Sequence, residues 1–159
     1  MHAGFVPLHV HSQYSLLDGA IRIDDLVEKA KQYRLAALAI TDHGNLFGAV
    51  DFYRKARKGG IKPIIGCEVY VSPTTRFDRE VKRNDHLILL VRDREGYRNL
   101  CRLVSLAYEE GFHYKPRIDK EILSRYGGGL IGLSACIKGE VPRLLLSGRR
   151  EEAKAAALQ

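Results

Sequence analysis

At 159 residues, 45% hydrophobic and 28% charged, the chain has the composition of a globular protein with room for one domain, which excludes both a disordered tail and two full-sized domains. The 26 basic against 19 acidic side chains give a net charge of +7, compatible with phosphate-bearing partners but specifying none. Its apolar runs are too short to cross a bilayer, no signal-peptide pattern opens the chain, and three scattered cysteines make no disulfide framework, so a cytoplasmic protein without a membrane partner is expected.

Residues 5–11 read as a first strand, with Val6, Leu8 and Val10 on one face and His9 and His11 on the other. Alternate strand residues share a face about 6.5–7 Å apart. Both imidazoles can therefore reach one small volume, and the turn that follows adds Asp18. A helix is predicted over residues 24–34, with Asp25 and Glu28 as a capping box. Residues 35–41 form a short apolar strand ending in TDHGN. A second helix over 46–57 is expected to bury Leu46, Val50 and Tyr53 and to stop at Gly59-Gly60.

Residues 61–72 make a third strand, apolar enough to be covered on both faces, in which Glu68 is the anomaly. The loop 73–85 carries Arg76, Arg79, Lys82 and Arg83 interleaved with Asp78, Glu80 and Asp85, which favours a solvated loop over a nucleic-acid patch. Residues 86–91 are a fourth strand. Asp93 then caps a helix whose apolar stripe is Tyr97, Leu100, Cys101, Val104, Ala107 and Tyr108. After a loop at 111–117 come a short helix at 119–126, a glycine triplet, and a fifth strand at 130–135 leading into Cys136. A brief helix around Val141, Leu144 and Leu145 and a helical tail from Glu151 complete the chain. The alternation of strand and helix predicts parallel strands joined by right-handed crossovers, an α/β sheet or barrel with its chemistry at the carboxyl ends of the strands.

Those ends carry His9 and His11, then Asp42 and His43, then Glu68; His86 opens the fourth strand and Cys136 follows the fifth. Such nitrogen, carboxylate and thiolate donors suit zinc, manganese or iron. Each has an ordinary reading by itself. His43 can sit in a turn with Asp42 capping a helix, Glu68 can pair with a lysine or arginine, and Cys136 can be a small buried hydrophobe. Donors at successive strand ends favour a metal site.

Together HVHSQYSLLDGA, AITDHGNLFGAVDFY, KPIIGCEVYV, HLILLVRDREGYRNL and LIGLSACIKGEVP resemble the PHP (polymerase and histidinol phosphatase) domain, over essentially the whole chain. SLLDGA, DHGNLFGAV, GYRNL and EGFHYKPRID resemble the subgroup carried at the N-terminus of bacterial DNA polymerase III alpha subunits. The resemblance implies a distorted (β/α)7 barrel with up to three divalent metals, zinc or manganese, at its mouth. The ligands it implies are His9, His11, Asp18, His43, Glu68, His86 and Cys136, with Asp42 orienting one of them. Of these, His9, His11, His43 and Glu68 carry the catalytic role.

The family completes its site with a later Asp and His, whereas here no aspartate follows Asp119 and no histidine follows His113. The expectation is a single PHP domain truncated before barrel closure, weak in activity alone and prone to self-association through open strand edges. The implied function is metal-dependent phosphoester hydrolysis on DNA 3′ ends, a 3′–5′ proofreading exonuclease within a replicative DNA polymerase. Its implied partners are DNA, other replicase subunits and a separate proofreading exonuclease. Two alternatives are a structural module that docks such an exonuclease without catalysis, and a small-molecule phosphatase of the histidinol phosphate type.

Overall fold

The computed structural model describes residues 2–159. Its first regular element is not the expected strand at 5–11. That segment is extended and lies beside β1 (Ala37–Ile40), whose Ala39 and Thr41 amides donate to the carbonyls of Pro7 and Val10. Pro7 has no N–H to return, and Val10 gives its own to the Thr41 hydroxyl, so the ladder is never completed.

Helix α1 (Ile23–Gln32) buries Ile23, Leu26, Val27 and Ala30. Its N-cap, Arg22, makes no side-chain cap bond and Glu28 pairs with Lys31, so the expected capping box is absent. Helix α2 (Ala49–Lys58) turns Ala49, Phe52 and Ala56 inward and leaves Val50 and Tyr53 half exposed, a different face from the one anticipated. These helices pack against Leu38 and Ile40 of β1.

Strand β2 (Lys62–Val71) organises the sheet. Its first half runs parallel to β1, Ala37 to Ile40 facing Lys62 to Ile65. Its second half pairs antiparallel with β3 (Asp85–Val91), and its end lies parallel to the two-residue β4 (Arg117–Ile118). Strand β5 (Leu130–Leu133) is antiparallel to β3, giving the order β1-β2-β3-β5 in an open α/β sheet. The sheet is therefore mixed, not all parallel. The connection from β2 to β3 is the polar loop at 72–84 with no helix in it, so the chain can return antiparallel.

Helix α3 (Arg94–Glu109) starts where the Asp93 carboxylate accepts the Gly96 amide, as its sequence predicts. It buries Gly96, Leu100, Leu103, Leu106 and Ala107, whereas Tyr97 and Tyr108 stay partly exposed, so its inner stripe is rotated from the expected one. A Cβ on Gly96 would meet the Gly129 carbonyl oxygen at 1.8 Å, so glycine is required where α3 crosses the turn before β5. Helix α4 (Lys120–Tyr126) is capped by Asp119, and α5 (Glu140–Leu146) and α6 (Arg150–Ala157) follow β5.

Strand periodicity divides the sheet into two faces. Cys67, Val69, Val71 and Leu89 pack against α3 in the main apolar cluster. The other face of β2 presents Glu68 and Tyr70, opposite Ile88 and His86 of β3. The anticipated cover on both faces of β2 is present: one face meets the main apolar cluster, and on the other Ile64 packs with Ala39, Ile88 and Leu90 while Glu68 and Tyr70 beyond it are buried. The basic loop is anchored from inside. Arg76 is buried and donates to Asp119, Glu110 and Glu121, while the fully buried Arg117 donates to the carbonyls of Gly111, Val81 and Arg76.

Candidate metal centre

Each donor reaches the polar face of the sheet by a different route. The extended segment at 5–11 lies against β1 and carries His9 and His11. Beyond β1 the chain continues alongside β2: the Glu68 amide donates to the Asp42 carbonyl and the Gly44 amide to the Glu68 carbonyl, so His43 bridges Glu68. Gly44 makes the following turn with φ +62°, a conformation that favours glycine. Antiparallel register sets His86 opposite Tyr70, on the face of Glu68.

The side chains converge closely. His9 Nε2 and His11 Nε2 lie 2.7 and 2.9 Å from Glu68 Oε2, and 3.0 Å from each other. His86 Nδ1 contacts the other oxygen, Oε1. His43 Nε2 is 3.0 Å from Asp18 Oδ2, and its Nδ1, buried and without a hydrogen-bond partner, is 3.7 Å from Glu68 Oε2. The rings stack in series, His11 on His43 with centroids 4.1 Å apart and His43 on Tyr70 at 5.8 Å. Three overlapping donor sets result: His9, His11 and Glu68; His11, Asp18 and His43; His43, Glu68 and His86. Within each set the ligand atoms lie within 4.8 Å of one another.

The electrostatics follow from this convergence. Burial disfavours the Glu68 anion, but hydrogen bonds from His11, His86 and His9 outweigh it and hold the carboxyl well below the usual carboxylate range. The hydrogen bond to Glu68 raises His11 above the ordinary imidazole value, against the opposing effect of burial. The hydrogen bond from His43 lowers Asp18. Burial pushes the Tyr70 phenol up to about 12, so it faces His43 and His86 as a neutral ring. The ordinary reading of Glu68, a lysine or arginine partner, does not hold, because its partners are histidines.

A layer of hydrogen bonds beneath the donors was not anticipated from the sequence, except for Asp42. Both carboxylate oxygens of this buried residue are used: Oδ1 accepts from the Ser12 amide and the Ser15 hydroxyl, Oδ2 from the Ser12 hydroxyl. With its proton committed to Asp42, Ser15 Oγ acts as an acceptor for the His43 amide and for His11 Nδ1 at 3.2 Å. That arrangement directs a His11 Nδ1 proton to Ser15 and turns Nε2 toward Glu68, where a cation would take the place of the proton that Nε2 donates to the carboxylate. Asp42 therefore orients the His11 ring through Ser15. The signal in the sequence was the pair of small hydroxyls Ser12 and Ser15 at the two ends of the four-residue turn SQYS.

Of the seven expected ligands, His9, His11, Asp18, His43, Glu68 and His86 are brought together. Cys136 is not among these donor sets. Its thiol is exposed, and Sγ accepts the Lys138 amide. The left-handed Ala135, φ +59°, turns the chain out of β5 just before it, so Cys136 is also not the buried hydrophobe that it could have been. The turn it begins nonetheless lies against the site, since the His86 amide donates to the Lys138 carbonyl. Among the basic residues of the loop at 72–84, Arg76 is consumed by its carboxylates.

The donor chemistry fits divalent cations, since several lone pairs meet around one buried carboxylate. The model of the PHP domain family matches residues 7–159. The chain belongs to the PHP family. This PHP chain is 55% identical over 151 residues to the DNA polymerase III subunit alpha of Chlamydia trachomatis, an alignment covering 92% of the chain and 12% of that relative. It is 54% identical over 154 residues to the subunit of the same name from Borreliella burgdorferi, covering 94% and 13%. It thus spans about an eighth of the length of the curated relatives it matches. A solved amidohydrolase from Chromobacterium violaceum, with bound sulfate and no metal, overlaps 65% of this PHP chain and 33% of its own at 27% identity and a TM-score of 0.49. Among the described residues, no helix is long and apolar enough to cross a membrane.

Proposed function

We propose that this PHP chain, as part of a single PHP domain, binds divalent cations at its His and carboxylate cluster and uses them to hydrolyse phosphoesters at DNA 3′ ends. The setting is that of a cytoplasmic replicative polymerase of the DNA polymerase III alpha type. One observation carries the reading: the imidazole nitrogens of His9 and His11 meet 3.0 Å apart at a single buried carboxylate oxygen of Glu68. Two nitrogens and an oxygen anion so close together are a costly arrangement without a positive charge among them, and a cation supplies it. The predominance of imidazole favours zinc or manganese over magnesium. When bound, such ions lower the pKa of a coordinated water and neutralise charge that develops on phosphate oxygens.

The chain's own residues prepare that chemistry. Glu68 keeps its negative charge against burial and is shared among all the donor sets except the one containing Asp18. Ser15 accepts from His11 Nδ1 and so holds the ring with Nε2 directed at Glu68. Asp18 orients His43 through Nε2, and Tyr70 covers the His43 ring with a neutral face. DNA as substrate is supported by the similarity to DNA polymerase III alpha subunits at 54–55% identity.

The test has two parts. Elemental analysis of the purified chain after incubation with zinc or manganese is expected to find bound metal, lost in His11→Ala and Glu68→Ala. The full polymerase polypeptide is expected to release nucleotides from a 3′-labelled single-stranded DNA, with the same substitutions reducing release at least about a hundredfold, the loss of a general contribution from metal-assisted chemistry. If metal binds and release is the same in wild type and both variants, the catalytic reading is wrong. The centre is then a structural element, stabilising the domain or a docking face for a separate exonuclease.

A further inference from the structure

Beside the metal centre lies a cleft of about 410 Å³ whose lining includes His86, Lys82, Lys115 and Lys138. We propose that this cleft is the track for the sugar–phosphate backbone of a single-stranded nucleic-acid end, with Lys82, Lys115 and Lys138 taking the phosphates and Tyr114 stacking on a base. The proposal rests on the phosphoesterase reading for its location and deepens it by naming the side chains outside the donor cluster that take the strand.

The charges in the cleft are unevenly committed. Arg143 and Arg83 also line it, but both face Asp85, Arg143 through Nε at 3.1 Å and Arg83 at 3.7 Å. The three lysines have no carboxylate partner among the described residues, so their positive charge is free to meet phosphate. Their placement ties the cleft to the donors. Lys138 accepts the His86 amide through its carbonyl. Lys115 Nζ sits 4.2 Å above the ring of Tyr70, and that ring stacks on His43 and meets His86 edge-on. A cation held on the face of Tyr70 is positioned next to the ligands without being neutralised by one of them.

The turn that carries Lys115 adds the second half of a single-strand site. His113 and Lys115 pair across a tight turn, and the residue between them, Tyr114, is in the left-handed region with φ +58° and 81% exposed. A large aromatic held in that conformation at the surface, edge-on to the His113 ring, offers a face to solvent next to a phosphate-binding cation. Aromatic faces with interleaved cations are how single strands are held without sequence preference. A small phosphate ester would need the metal centre and one lysine, whereas three unpaired lysines in one cleft with an exposed aromatic suit a chain of phosphates.

The experiment measures binding of a 5′-fluorescein oligothymidylate to the 159-residue chain by anisotropy, in EDTA and over a range of salt. Lys115→Gln and Lys138→Gln are each expected to weaken binding and to make the slope of log affinity against log salt shallower by about 0.7, the value for one lost single-strand phosphate contact. Tyr114→Ala is expected to weaken binding at least about fivefold while leaving the salt slope unchanged, the signature of lost stacking. Lys58→Gln, an exposed lysine at the end of α2 that does not line the cleft, is expected to bind the oligonucleotide like wild type. Melting temperatures of the variants equal to wild type exclude misfolding, and Lys138→Gln keeps the test independent of the Tyr70 contact. Wild-type affinity and slope in both lysine variants would overturn the proposal even if the metal centre hydrolyses DNA. Lysine-dependent binding in a chain whose polymerase shows no hydrolysis would sustain it and remove only the catalytic reading.

Discussion

Nε2 of His9 and Nε2 of His11 lie 3.0 Å apart, and both approach the same oxygen of Glu68. A proton or a cation must sit among them, and the hydrogen bond to Glu68 raises the His11 pKa, so His11 is the residue favoured to take the proton when no metal is present. A divalent ion competes with that proton, so metal is expected to stabilise the fold. At a hundred times the dissociation constant the gain is about 2.7 kcal/mol, read as a rise in melting temperature that EDTA reverses. Glu68→Gln keeps the shape but removes the shared anion, and is expected to weaken zinc and manganese binding more than about tenfold by calorimetry. Unchanged affinity in that variant would place the ion elsewhere.

Ser15 is expected to govern the metal indirectly. Its hydroxyl donates to Asp42 and accepts from His11 Nδ1, so Ser15→Ala removes the contact that fixes the orientation of the His11 ring. Outer hydrogen bonds of this kind are worth about 10–100-fold in metal affinity. The 15N shift of His11 Nδ1 in the metal-free chain should move as its hydrogen bond to Ser15 is lost, with that of Nε2, held by Glu68, moving less. A loss of affinity with the His11 shifts unchanged would mean a general structural effect.

Much of this could be read before any coordinates. His9, His11, His43 and Glu68 stand out because polar donors interrupt strand patterns, and the Asp93 cap and the strand at β2 follow from local rules. What escaped had non-local causes. The direction of β3 depends on the loop before it having no helix, and the segment at 5–11 fails as a strand because Pro7 has no amide to give and Val10 gives its own to the side chain of Thr41, just after β1. The inner faces of α2 and α3 are set by close approach, as where Gly96 meets Gly129, and not by the best apolar stripe. Ser12 and Ser15 look like turn residues until Asp42 is placed between them. Arg76 looks solvent-facing until Asp119, 43 positions later, is beside it.

The Arg76–Asp119 pair is expected to be a main support of the loop before β3. Both side chains are almost fully buried, and Asp119 also accepts the Arg76 amide and caps α4 through Ile122. Removing one partner of a buried pair leaves the other charge stranded, at a cost of about 3–5 kcal/mol. Arg76→Ala should therefore lower the unfolding free energy obtained from urea denaturation by that amount, whereas Arg79→Ala, an exposed neighbour, should change it little. A small effect of Arg76→Ala would show that water reaches Asp119 when the guanidinium is gone.

Asp93 predicts an acid-sensitive start to α3. The Gly96 amide and then Arg92 hold its carboxyl below the ordinary range. A depressed folded-state pKa means stability that is present above the unfolded value and lost as pH falls through the folded one. Below about pH 4 the wild type should therefore lose helix signal more steeply than Asp93→Asn, which keeps the cap without the charge. Superimposable acid titrations of the two proteins would assign the acid sensitivity to other carboxylates.

Cys136 provides the last test, because its exposure contrasts with Cys67, whose thiol is fully buried and pushed up to about 12 by that burial. At pH 8 iodoacetamide should modify Cys136 readily and leave Cys67 untouched in the native chain. The turn beginning at Cys136 is tied to the His86 amide through Lys138, so a thiolate drawn toward a bound ion has only a short distance of loop to move. Zinc is therefore expected to slow alkylation of Cys136, and to do so more than manganese, because a thiolate suits the softer ion. Cys136→Ser should correspondingly weaken zinc more than manganese. If zinc leaves the alkylation rate unchanged, the centre is complete with His9, His11, Asp18, His43, Glu68 and His86, and the thiol has no part in it.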